Sequence, residues 1–333
     1  MTNTQRVIQF TLLSAGIFFS IGINAQVKWI NVDAGYGPLP PGFHVYKTTD
    51  SLDGKPFIAY YAIADIKNKS LQFSADTTYK RRLTPTQFYQ KNGQALLVVN
   101  TTFFSFATNQ NLNVVVQNGK LVAYNIHSLP GKGKDTFTYR HPFNGAIGIT
   151  KKRTADIAWI YSDSSRKTAY ASQSVVEFSK DSIVESPFEE VITRTSTNSN
   201  ATERLFHKWK MQTAVGGGPV LVQNGQVKIT NNEELKFYGK AISDKHPRTL
   251  MGYTKDNQLI IMVIEGRNPG AAEGADLQQA AQVMAAVGCI EALNLDGGGS
   301  SCMLINGKET IHPSDKGVQR AVPAVLVITD KTR

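Results

Sequence analysis

Residues Gln258 to Lys308 constrain the fold more than any other stretch of the chain. Gln258 to Ile264 reads QLIIMVI, a short Ile- and Val-rich run suited to a strand buried on both faces. Glu265-Gly266-Arg267-Asn268-Pro269-Gly270 breaks it with turn-forming residues. From about Ala275, Leu277, Ala280, Ala281, Met284 and Val287 recur on one helical face, and Gly288 supplies a C-terminal stop. Ile290 to Leu295 is a second strand, running directly into Asp296-Gly297-Gly298-Gly299. Strand, helix, strand in so short a span predicts a βαβ unit with parallel strands. Glu265 and Asp296 then lie just past strand carboxyl ends, on one sheet edge, where open α/β sheets place their sites. Adjacent strands would set their axes ~4.8 Å apart, and one intervening strand roughly twice that. Either spacing lets two carboxylates and Arg267 surround one small ligand.

Three glycines after an acid allow close approach of backbone to a ligand, with N–H groups turned into a cleft. A tight turn between two core strands is the plainer alternative. Further motifs accompany this one. They are His246-Pro-Arg-Thr-Leu-Met-Gly252 and Gly216-Gly-Gly-Pro-Val-Leu-Val-Gln-Asn-Gly225, beside the Glu265-Gly-Arg267 loop and Asn294-Leu-Asp-Gly-Gly-Gly-Ser-Ser301. In this order, over roughly Val98 to the C-terminus, the set resembles the phosphodiester glycosidase family. Asn100-Thr-Thr-Phe-Phe104 matches a place that commonly reads Asn-Gly-Gly-Phe-Phe in that family; Thr101 and Thr102 depart from it.

The resemblance implies cleavage of the bond between an anomeric sugar carbon and a phosphodiester. A phosphate monoester leaves readily, so neutralising its charge can replace protonating it. Arginines bind phosphate oxygens in pairs, and Arg248, Arg267 and Arg320 are the candidates. A carboxylate must attack the anomeric carbon or activate water. Asp296 is the first candidate and Glu265 the second. Asn100, Asn294, Ser300 and the N–H groups of Gly216, Gly217, Gly218, Gly297, Gly298 and Gly299 are expected to hold phosphate or sugar hydroxyls. No metal site is expected, although Asp296, Glu265 and Asn294 would suit Ca²⁺ or Mg²⁺ and a divalent metal stays open. The expected substrate is a phosphoglycan or another glycosyl phosphodiester. The competing reading is a non-catalytic glycan-binding protein of the envelope using the same cleft.

The rest of the chain sets the frame. Residues 1–25 carry Arg6, an apolar run and a small residue at Ala25, the pattern of a cleaved signal peptide; the expectation is export to the periplasm or beyond. Residues 26–94 read as a β-rich segment packed on a catalytic domain spanning 95–333. The predicted class is mixed α+β, with a central mixed sheet, the βαβ unit and flanking helices. Thr84-Pro85 opens a short helix, and Glu203 to Lys210 suits another. Three strands close on Asn-Gly, at Asn118, Asn224 and Asn306, each predicting a hairpin. Each follows an unusual loop: Asn100 to Ser105, Gly216 to Pro219, and Asp296 to Ser300.

Lys and Arg exceed Asp and Glu by 36 to 26, a net charge of +10 that suits an anionic ligand. No nucleic-acid motif accompanies that charge, and none is expected to bind. No stretch after the signal segment is apolar enough to span a membrane. Cys289 and Cys302 are expected as free buried thiols. Placed on two antiparallel strands either side of the glycine turn, they would lie roughly 13 Å apart, beyond disulfide reach.

Overall fold

A computed structural model describes residues 27–131, 136–177, 179–180, 190–194 and 200–332, with backbone only for some between 179 and 204. The signal peptide expected over residues 1–25 lies outside these residues. Three antiparallel sheets enclose the main core. The largest runs in the order Ile30–Asn31, Phe43–Thr48, Ala59–Asp65, Gln258–Ile264, Arg248–Thr254, Cys289–Asn294, Val220–Gln223 and Gln226–Val227. A seven-stranded sheet centres on Asn144–Ile149, flanked by Ala155–Tyr161 and Thr213–Gly216. A five-stranded sheet centres on Leu97–Asn100, between Met303–Ile305 and Ala324–Asp330.

Strand burial follows the sequence pattern. Gln258–Ile264 is covered on both faces because two layers compete for it. Ile261 and Val263 join the core shared by the three sheets, while Ile260, Met262 and Ile264 meet the helix Leu277–Ala286. That helix begins at Asp276, whose side chain accepts the Gln279 N–H while the Gln279 side chain accepts the Asp276 N–H. The shorter helix Pro85–Lys91 uses the same reciprocal cap between Thr84 and Gln87. Phe88 anchors it against the outer face of the five-stranded sheet.

Gln258–Ile264 and Cys289–Asn294 share one sheet and run in the same direction, but they are not neighbours. Arg248–Thr254 lies between them, antiparallel to both. The crossover thus steps over the strand that opens with Arg248. That arrangement adds a third strand end to the edge where the two acids were expected.

Residues 26–94 are not a piece laid on a finished domain. Phe43–Thr48 and Ala59–Asp65 extend the eight-stranded sheet, and Leu71–Thr77 pairs along the whole of the final strand, Ala324–Asp330. Long-range pairing of this kind is invisible to a composition boundary. Glu203 to Lys210 is not helical either. Asn200–Arg204 pairs with Glu190–Arg194, and His207–Trp209 pairs with Ala169–Ser172 as the edge of the seven-stranded sheet. Trp209 is buried there as a core side chain.

Both cysteines are free and buried, though not for the reason given by a local hairpin. After the glycine turn the chain leaves its sheet, and Met303–Ile305 pairs with Leu97–Val99 instead. Cys289 therefore packs under the long helix and Cys302 beside Phe88, in separate clusters.

The three Asn-Gly hairpins form as expected. Asn118, Asn224 and Asn306 take φ near +50°, each followed by a left-handed glycine, as a two-residue turn of this hand requires. Each hairpin belongs to a different sheet. The loop before it carries the chain there from another sheet. Asn100 leaves the five-stranded sheet for the seven-stranded one, Gly216 leaves the seven for the eight, and Asn294 leaves the eight for the five. All three crossings meet at one corner.

Candidate functional site

The corner is held together by backbone contacts between crossings. Asp296 N–H donates to Thr101 O at 2.8 Å, Gly218 N–H to Asn294 O at 2.7 Å, and Gly298 N–H to Pro247 O at 2.8 Å. Asn100, fully buried, ties the Asp296 crossing to the strand Arg248–Thr254. Its Nδ2 donates to Asp296 O at 2.6 Å, while its Oδ1 accepts from the Thr249 hydroxyl and the Cys302 N–H. Asn100 was expected to touch substrate, but it is fully buried and both polar atoms of its amide are engaged inside the fold. It positions Asp296.

The Asp296 carboxyl accepts from the Gly297 N–H and the Ser300 hydroxyl. Its Oδ2 is buried and has no partner. Burial pushes its pKa up to about 7, against the opposing pull of Ser300, Arg320, the Gly297 amide and Lys236. The group is thus poised near neutrality. Asn294, just before it, donates to Gly218 O and Leu295 O, and its Oδ1 is also a buried acceptor without a partner.

Four cations face this corner. Arg248 is 3% exposed and forms no ion pair among the described residues; its Nε donates to Ala275 O at 2.9 Å, and its guanidinium lies over Phe237 at 5.6 Å. Burial lowers its pKa to about 10 despite the Asp276 carboxylate, and Arg267 adds to the lowering. Arg267 sits at φ +62, at the turn out of its strand. Arg320 bonds Asp315 Oδ2 at 2.9 Å, approaches Ser300 Oγ at 3.5 Å and covers Phe106 at 5.4 Å. The fourth cation, Lys236, went unnoticed in the sequence. Its Nζ donates to Asn144 Oδ1 at 3.0 Å and lies over Phe103 at 4.8 Å. Phe103 meets Phe237 edge-on at 6.0 Å, so two phenyl rings span the gap between Lys236 and Arg248.

The glycines have a different purpose from the expected one. The N–H groups of Gly216, Gly217, Gly218 and Gly298 all donate to carbonyl oxygens of the fold, at 2.7 to 3.0 Å, and the Gly297 N–H serves Asp296. What matters at Gly298 and Gly299 is the missing Cβ. A Cβ on Gly298 would stand 2.9 Å from an Arg267 nitrogen, and one on Gly299 would overlap the Arg320 guanidinium. The turn is bare so that two arginines can lie on it, beside the Asp296 carboxyl.

Glu265 is nearly buried, and its Oε2 accepts the His312 N–H at 3.0 Å. It ties the chain after Ile311 to the strand end, and of the two acids Asp296 is the one with a buried oxygen that has no partner among the described residues. His246 Nδ1 is buried without a partner; burial, Arg248 and Arg267 hold its pKa down, so the ring is neutral. No group of three His, Cys, Asp or Glu side chains capable of holding a metal occurs among the described residues.

Residues 93–329 match the model for phosphodiester glycosidases. The chain is 27% identical over 103 residues to the mouse N-acetylglucosamine-1-phosphodiester alpha-N-acetylglucosaminidase, covering 28% of this chain and 20% of that protein. It is 38% identical over 85 residues to the uncharacterised prophage protein YomE of Bacillus subtilis, covering 26% and 13%. The chain thus spans only a small part of these curated relatives. In structure it is similar to the zebrafish N-acetylglucosamine-1-phosphodiester alpha-N-acetylglucosaminidase catalytic domain, at TM-score 0.58 and 18% identity over 91% of this chain and 88% of that one. A putative exported protein from Burkholderia pseudomallei shares the fold at TM-score 0.56 and 16% identity, covering 85% and 75%. With that match over most of its length, the chain belongs to the phosphodiester glycosidase family.

Proposed function

We propose that this protein is an exported hydrolase that cleaves the bond between an anomeric carbon and a phosphodiester, on a glycan or glycoconjugate. One observation carries the reading. A carboxyl with a pKa of about 7 and an unsatisfied oxygen shares a glycine turn with two arginines laid directly on it. Arg267 and Arg320 neutralise the phosphate as the bond from carbon to oxygen breaks and its electron pair leaves with the phosphomonoester. Arg248 adds a third positive charge from the neighbouring strand. Asp296, ionised, takes a proton from the water that adds to the anomeric carbon. The buried Asn294 Oδ1 and Asp296 Oδ2 are acceptors that sugar hydroxyls would satisfy. Export is supported by the amino-terminal segment, and no helix among the described residues is long and apolar enough to cross a membrane.

The test is incubation of the purified mature protein with a panel of glycosyl-1-phosphodiesters, assayed for free sugar and phosphomonoester in equal amounts. Release from at least one member is expected. Binding without release across the panel would assign the cleft to glycan recognition.

A further inference from the structure

We propose that Lys236 is a fourth anion-binding group of the cleft, contacting the substrate phosphate from the side opposite the glycine turn. This deepens the glycosidase reading and rests on it for the identity of the anion.

The loop 230–237 is built to present one ammonium. Glu234 is buried beneath it and accepts from Trp159 Nε1, the Thr230 hydroxyl and the N–H groups of Gly145 and Val220, at 2.6 to 3.2 Å. Three of these bonds fasten the loop to strands of two sheets, and the Thr230 bond closes it on itself. Asn231 closes it, accepting from Phe237 N–H and donating to Phe237 O, both at 3.0 Å. Leu235, at φ +52, reverses the chain between the anchor and Lys236. A bulky, non-glycine residue in that region is held there by its surroundings.

The side chain of Lys236 then passes directly over Gly218, where a Cβ would stand 2.5 Å from its Cε. Its tip rests between Asn144 Oδ1 and the Phe103 ring. Lys236 makes no ion pair among the described residues. Glu234 supplies counter-charge from below without capping the ammonium, and Asp296 acts on it from across the cleft. Burial lowers the pKa of the amine to about 8 against those two carboxylates, so it is still charged at neutral pH. One of its three protons goes to Asn144, which leaves donors for an anion. A structural lysine would be expected to sit against a carboxylate. This one is held off its own.

Inorganic phosphate is the probe, measured by calorimetry on the full mature chain, with turnover of a glycosyl phosphodiester recorded separately. Lys236→Met should weaken phosphate binding roughly tenfold to a hundredfold, the effect of losing one charge-assisted bond, with a melting temperature close to that of the parent. Lys236→Arg should recover part of the loss. Should Lys236→Met not fold, Lys236→Gln, which keeps a polar end for Asn144, carries the same readout. Phosphate affinity unchanged in the folded variant would overturn the assignment. Phosphate binding that depends on Lys236 in a protein hydrolysing no phosphodiester would keep the anion site and discard the glycosidase reading.

Discussion

Asn100 and Asp296 stand 196 positions apart in sequence and meet through a single hydrogen bond, from Asn100 Nδ2 to the Asp296 carbonyl at 2.6 Å. The bond holds the main chain of the candidate catalytic residue rather than its carboxyl. Its partner groups, Thr249 and the Cys302 amide, have no water to turn to.

Asn100→Ala should therefore act on stability first. Three buried groups lose a partner, and about 3 kcal/mol of unfolding free energy should go with them. Chemical denaturation measures it. A loss of turnover with unchanged stability would instead place Asn100 on the substrate.

Asp296→Asn should abolish hydrolysis, by on the order of a hundred- to ten-thousandfold, while leaving substrate affinity nearly intact. Glu265→Gln should be milder, because its carboxylate braces His312 and has no buried, unpartnered oxygen like Asp296 Oδ2. The measurement is kcat and ligand affinity on one glycosyl phosphodiester for both variants. An active Asp296→Asn beside a dead Glu265→Gln would exchange their roles.

The pH dependence has two opposite signs. As the base must be ionised, kcat should rise through about pH 7, the value set for Asp296 by burial. Stability should run the other way. The pKa is raised above the unfolded value, so the folded state keeps the proton that the unfolded chain loses above about pH 4, and stability falls as pH climbs to 7. Asp296→Asn escapes this cost. Its melting temperature should match the parent near pH 4 and exceed it at pH 8, by up to about 4 kcal/mol in stability. A variant no more stable at pH 8 would show that the carboxylate is well solvated.

Gly299→Ala tests why the turn is bare. If its purpose is to seat Arg320, the variant should lose about as much kcat/KM as Arg320→Ala, on the order of a hundredfold. The double variant should lose little more, since both remove one interaction. Additive losses would mean that Gly299 serves the reaction separately, through its own N–H.

Much of this site could be read from residue order. An apolar run ending at an acid, and Asn-Gly steps at hairpins, are local signals, and both survive folding because nearby backbone geometry decides them. Arg248 and Arg267 were legible from the motifs around them. Lys236 was not, because the loop 230–237 has no period and takes its shape from Glu234, whose partners come from three distant segments. The glycines were found but misread. A sequence shows that a Cβ is missing, not which neighbour fills the space. The same limit applies to the strand Arg248–Thr254, whose insertion between two parallel strands depends on pairing across the sheet.

The three crossings form a closed circuit, five-stranded sheet to seven, seven to eight, and eight back to five, with the acid at the point where they touch. Proteins open in cooperative units, and functional loops usually belong to the least stable of them. Here no unit owns the site. Freeing any one crossing breaks backbone bonds that belong to the other two, so partial unfolding gives no route to loosening the Asp296 corner. Under the proposed function, adaptation to a substrate falls to the side chains around the rim, above a floor tied into all three sheets.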